Sequence, residues 1–137
     1  MDLGKLEATD EGKRLTLLNP TTGEELCYEI EDGVETPMFL TMVSLDSSIY
    51  KKSQRRIIDR RLKQQSKFRS AKLNAAQLEE ETLFTLADCT TGGALYADGE
   101  EVIVTPGADA LKLYKRFPWI KEQASEFMED RSNFLDG

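Results

Sequence analysis

The stretch LDSSIYKKSQRRIIDRRLKQQSKFR, residues 45–69, constrains the fold more than any other part of the chain. Residues 47–78 carry ten bases (Lys51, Lys52, Arg55, Arg56, Arg60, Arg61, Lys63, Lys67, Arg69 and Lys72) against one acid, Asp59. The apolar positions, Ile49 or Tyr50, Ile57, Ile58 and Leu62, recur at helical spacing but make only a narrow stripe. A segment of this kind folds as a helix that lies on a core, with most of its circumference in water. Asp46, Ser47 or Ser48 can cap its first free amides, which predicts a helix over about 47–67.

The charge is segregated along the chain. Residues 1–46 carry −8, residues 47–78 carry +9 and residues 79–137 carry −8, for a net charge of −7. A cationic helix between two anionic regions is a solvated face, a nucleic-acid surface, or a dock for an acidic partner such as a second copy of the chain. Nucleic acid fits poorly. Only one aromatic stands among the bases, the flanking acids repel phosphate, and the pI is near 4.7. Lys51, Lys52, Arg55, Arg56, Arg60 and Arg61 therefore form a candidate self-association patch, with a homo-oligomer as the expected state.

At 137 residues the chain is expected to be a single domain over 1–137, with an N-terminal β region at 1–46 and a mainly helical region at 47–137. RLTLLNPTTGEELCYEIE reads as a hairpin: Leu26, Tyr28 and Ile30 alternate with Glu25, Glu29 and Glu31, and Pro20 and Gly23 supply the turn. DGVETP reads as a loop, and PMFLTMVSL as a third strand. A polar link near 66–73 leads to a helix at about 74–90. Asn74 is its cap, Leu78, Leu83, Phe84, Leu86, Ala87 and Cys89 form its apolar face, and Gly92-Gly93 stops it. ALYADGEEVIVTP is a second hairpin turning at Asp98-Gly99. Thr105 caps a third helix with Pro106 at its first position. Pro118 starts a fourth, expected to run to about Leu135. The fold class is α+β: a small N-terminal antiparallel sheet or hairpin, four helices, and a second short hairpin between helices 2 and 3.

No histidine is present, which removes the usual neutral-pH base and the commonest metal ligand. Cys27 and Cys89 are isolated and lack CxxC spacing, so small buried hydrophobes are expected and no disulfide framework. Glu79-Glu80-Glu81 and Glu129-Asp130 are adjacent on helices and point apart, as solvated faces do. Thr90-Thr91-Gly92-Gly93 lacks the spacing and the lysine of a phosphate loop. No enzymatic activity, cofactor or metal is expected. The polar start of the chain does not read as a secretory signal, and no apolar run is long enough to span a bilayer, so no membrane partner is expected and the cytoplasm is the default location.

The last segment, RFPWIKEQASEFMEDRSNFL, holds the only tryptophan and half of the six phenylalanines. Ile120, Ala124, Phe127, Met128, Arg131 and Phe134 follow the spacing of one helix face. They either close the domain's own core or meet a partner. Phe117, Trp119, Ile120, Phe127, Met128, Arg131 and Phe134 are the candidate partner-binding residues.

The pieces NPTTGEEL, LDSSIYKKSQRR, ETLFTLADCTTGG and DGEEVIVTPGADALKLYKRFPWIKEQASEFMEDRSNFL together resemble the small tail assembly chaperones that long-tailed bacteriophages encode next to the tape-measure protein. The likeness spans about residues 13–135, and FPWIKEQ and DRSNFL are its most specific parts. Gly93 stands where a tryptophan is expected soon after the TTG-like sequence. The resemblance implies a non-enzymatic protein in the cytoplasm of the infected host, absent from the mature virion. It would bind the tape-measure protein, keep it soluble and help tail-tube assembly around it, with the tail-tube protein as a further candidate partner. The resemblance also implies a short form and a longer frameshifted form, of which this chain, ending at Gly137, would be the short one. The alternative is a structural minor tail or head–tail connector subunit retained in the virion.

Overall fold

The computed structural model describes residues 2–7, 9–67 and 75–135. In chain order it contains β1 (Lys13–Thr16), β2 (Cys27–Glu31), β3 (Val34–Pro37), β4 (Phe39–Met42), α1 (Ser48–Lys67), α2 (Ala75–Asp88), β5 (Thr90–Ala97), β6 (Glu100–Ile103), α3 (Ala108–Arg116) and α4 (Pro118–Glu129). The class is α+β, with four helices and a strand pair after the second. Antiparallel strands in the order β1-β4-β5-β6 form one sheet, and β2 and β3 pair separately.

The sheet is built around β4. Its alternation puts Leu40 and Met42 on one face, fully buried, and Phe39 and Thr41 on the other. Leu15 lies across from Leu40 on β1, and Gly93 lies across from it on β5. Helices α2, α3 and α4 close the Leu40 face with Leu86, Ala87, Ala110, Leu113, Tyr114, Ile120, Ala124 and Met128. Inside this core, Thr90 and Tyr114 share a hydroxyl hydrogen bond of 2.5 Å, and Thr90 also donates to the Leu86 carbonyl at 2.8 Å. A polar pair is thus buried with its bonding capacity used. Burial pushes the Tyr114 hydroxyl well above its ordinary pKa. On the opposite sheet face, the Arg14 guanidinium stacks 3.8 Å over the Phe39 ring, and Tyr28 of β2 stacks on Tyr96 of β5 at 5.7 Å.

Several local expectations change in the fold. DGVETP is not a loop: Asp32-Gly33 is the turn of the β2–β3 hairpin, with Gly33 at φ 82°, and the residues after it form β3. The turn after Leu18 is present. The Asn19 side chain accepts from the Thr21 amide at 2.8 Å, and the Leu26 amide donates to the Leu17 carbonyl at 2.9 Å. Yet β1 takes β4 as its ladder partner, leaving β2 to pair with β3. Gly92-Gly93 does not end α2 but sits inside β5.

Thr105 does not cap α3. Gly107, at φ 82°, occupies that position, and the Thr105 hydroxyl donates instead to Asp109. Helix α4 starts at Pro118 as expected but ends at Glu129, before Leu135. Asp130 accepts from the Ser132 amide and opens a separate 3-10 turn over Arg131–Asn133. The 66–73 link falls largely outside the described residues and the Asn74 cap wholly so; α1 itself continues through Lys67.

Gly93 is the tightest point of the sheet. A Cβ there would stand 2.6 Å from the Phe39 carbonyl oxygen and 2.9 Å from Leu40 Cδ2. Gly93→Ala is expected to destabilise the fold by about 1–3 kcal/mol, read as a lower urea midpoint with an unchanged slope. The cysteines differ as sharply. Cys27 is exposed, whereas burial, helped by the nearby Asp88 charge, pushes the Cys89 thiol up to about 12. A thiol reagent at neutral pH is expected to modify one cysteine per chain, Cys27, and to reach Cys89 only after denaturant is added.

Candidate partner-binding surfaces

Helix α1 begins where the sequence allows three caps, and Ser47 takes the position. Its hydroxyl accepts from the Tyr50 amide at 3.2 Å and donates to the Ser44 carbonyl at 2.7 Å. Asp10 adds a second anchor by accepting from the Ser48 hydroxyl and from the Ser48 amide, the latter at 2.7 Å, and these bonds, the hydroxyl's first, hold its carboxyl below the usual range. The side of α1 that turns inward is mostly polar. Ser53 is buried and donates to Asp88 Oδ2 at 2.8 Å, and Gln54 donates to the Thr85 hydroxyl at 3.1 Å. Arg61 grips Glu81 with two nitrogens, Nε at 2.9 Å and Nη2 at 2.6 Å from Oε2. Glu81 is the one buried carboxylate among the described residues.

These contacts leave a cleft of about 280 Å³ between α1, α2 and α4. Tyr50, Ile57, Leu78, Leu86 and Met128 give it apolar walls. Arg61–Glu81 lies on one side, and Ser125 and Glu129 on the α4 side. Leu78, expected to face the core, is half-exposed at this cleft. Nothing in the local spacing reveals the cleft, because Arg61 and Glu81 are on different helices and α4 does not begin until Pro118.

The C-terminal candidates divide by burial. Ile120, Met128 and Phe134 are inside the core, where they have little surface to give a partner. Phe134 also packs edge-on against Phe127 at 5.3 Å. Phe117, Trp119 and Phe127 are half-buried against the same core, with Phe117 and Trp119 edge-to-face at 6.1 Å. Arg131 is exposed and clasps Asp46, Nε to Oδ2 at 2.7 Å, tying the end of the chain to the start of α1. That bond lowers the Asp46 pKa, so its contribution is present at neutral pH and lost as pH falls through the lowered value.

The cationic candidates divide as well. Arg61 is engaged with Glu81, Arg56 with Asp88 at 3.4 Å, and Arg60 lies 5.4 Å from the Phe84 ring. Lys51, Lys52 and Arg55 are exposed and form no ion pair with a described residue. Among the described residues, no group of three or more Cys, Asp or Glu side chains is placed to hold a metal ion. No described helix is long and apolar enough to cross a membrane.

Neither a protein-family model, nor a curated protein, nor a solved structure matches this chain.

Glu81→Gln keeps the shape of the α1–α2 contact but removes the charge that Arg61 grips. It is expected to cost about 1.5 kcal/mol in thermal or urea unfolding, the low end for a charged hydrogen bond because Arg61 is partly in water.

Proposed function

We propose that the chain is a non-enzymatic tail assembly chaperone of a long-tailed bacteriophage. In this reading it binds the tape-measure protein, keeps it soluble in the host cytoplasm, and helps the tail tube to assemble around it. The cleft between α1, α2 and α4 is the observation that carries the proposal. Its 280 Å³ lies below the roughly 300–1,000 Å³ of pockets that enclose a drug-sized ligand. It suits instead a few apolar side chains presented by a helix lying across it, the helix-in-groove mode. The half-exposed Leu78 and the partly exposed Tyr50 and Ile57 offer apolar contact without selecting one side chain, which favours a client with many similar helical segments. Ser125 offers a hydroxyl at the margin without selecting one sequence. The half-buried Phe117, Trp119 and Phe127 are a second, smaller apolar edge for the same client.

Co-expression with the large helical protein encoded next to the gene tests this reading. The chain should move that protein into the soluble fraction and co-purify with it. Leu78→Glu, at the cleft wall and half-exposed, should leave the circular dichroism of the chaperone unchanged and return the client to the pellet. Mass spectrometry of purified particles should find the chain absent; a stoichiometric presence there would favour a minor tail or head–tail connector subunit instead.

A further inference from the structure

We propose that the solvent-facing side of α1 docks the β2–β3 hairpin of a second copy of this chain. On α1, Lys51, Arg55, Ile58 and Leu62 stand at i, i+4, i+7 and i+11 and so share one face. The opposite face, with Ser53, Ile57, Arg61 and Gln64, meets α2 and the cleft. Ile58 and Leu62 are 51 % and 59 % exposed, an apolar pair in water at the end of a row of cations. Arg55 forms no ion pair with a described residue, and Lys51 forms no direct one, although its charge is felt by the Asp10 and Asp46 carboxylates near the helix start.

The hairpin is the complementary surface. Glu24, Glu25, Glu29, Glu31, Asp32 and Glu35 are exposed, with no base between Gly23 and Pro37. Among the described residues none of these six carboxylates is paired. Glu29 stands directly opposite Glu35 in the β2–β3 register. Like charges facing each other across two strands destabilise a hairpin, and no described cation pairs with them. Val34 lies beside them, paired with Glu31 and 53 % exposed. A cationic helix face with two exposed apolar side chains matches an acidic hairpin with one. The occupant is a second copy because both halves of the match are present on every chain. This inference is independent of the client proposed for the cleft, which lies on the other side of α1.

Sedimentation velocity on the full chain tests it. The wild type should form dimers or larger species at low ionic strength that dissociate at high salt. A helix variant (Lys51→Gln, Lys52→Gln, Arg55→Gln) and a hairpin variant (Glu29→Gln, Glu31→Gln, Glu35→Gln) should each be monomeric at both salts with unchanged circular dichroism. Mixed in equal amounts they should associate again, since each retains the half that the other lacks. A wild type that is monomeric at low salt overturns the proposal. So does a variant that associates as the wild type does, or a mixture that stays monomeric.

Discussion

The close approach of β4 and β5 at Leu40 and Gly93 is the contact on which the rest of the fold depends. Strand β5 follows α2 and lies some 50 residues beyond β4, yet it enters the sheet between β4 and β6. It can do so because Gly93 has no side chain to meet the Phe39 carbonyl. Once β5 is in place, α2 is drawn over the Leu40 face and the Thr90–Tyr114 hydrogen bond ties α3 to the same layer. Helix α4 then covers what remains with Ile120, Ala124 and Met128. A β region and a helical region that look separate in the sequence share one core.

That core leaves α1 in an unusual position. It touches the body mainly through α2, and its inward side is anchored by Ser53, Gln54 and Arg61, where a core helix would use leucines. The arrangement has two consequences. Polar anchoring leaves a cleft with apolar walls between α1, α2 and α4, and it leaves Ile58 and Leu62 facing water. Both surfaces have the chemistry of protein docking, one toward an apolar helix and one toward an acidic surface.

The elements were largely legible in the sequence. The 3.6-residue period of Ile49, Ile57 and the intervening bases marks α1 within a residue or two, and Pro118 marks the start of α4. Asp98-Gly99 marks the β5–β6 turn. Asp32-Gly33 carries the same turn signal, but the acidic, apolar-poor VETP after it hides a strand. The end of α4 was less legible, since Phe134 keeps the helical spacing although Asp130 breaks the helix by capping a new turn.

What the sequence determined by itself was local: helix and strand periods, turn residues, and the segregation of charge into acidic, basic and acidic blocks. These depend on neighbours within a few positions, which a linear reading sees. Tertiary structure alone decided which strands pair, that Gly93 is a point of close approach, and that Phe134 is inside. It also decided which cations are engaged, Arg61 by Glu81 and Arg56 by Asp88, and which remain in water. Those outcomes depend on contacts between residues far apart in the chain, where burial and complementary charge, and not local period, select the partner.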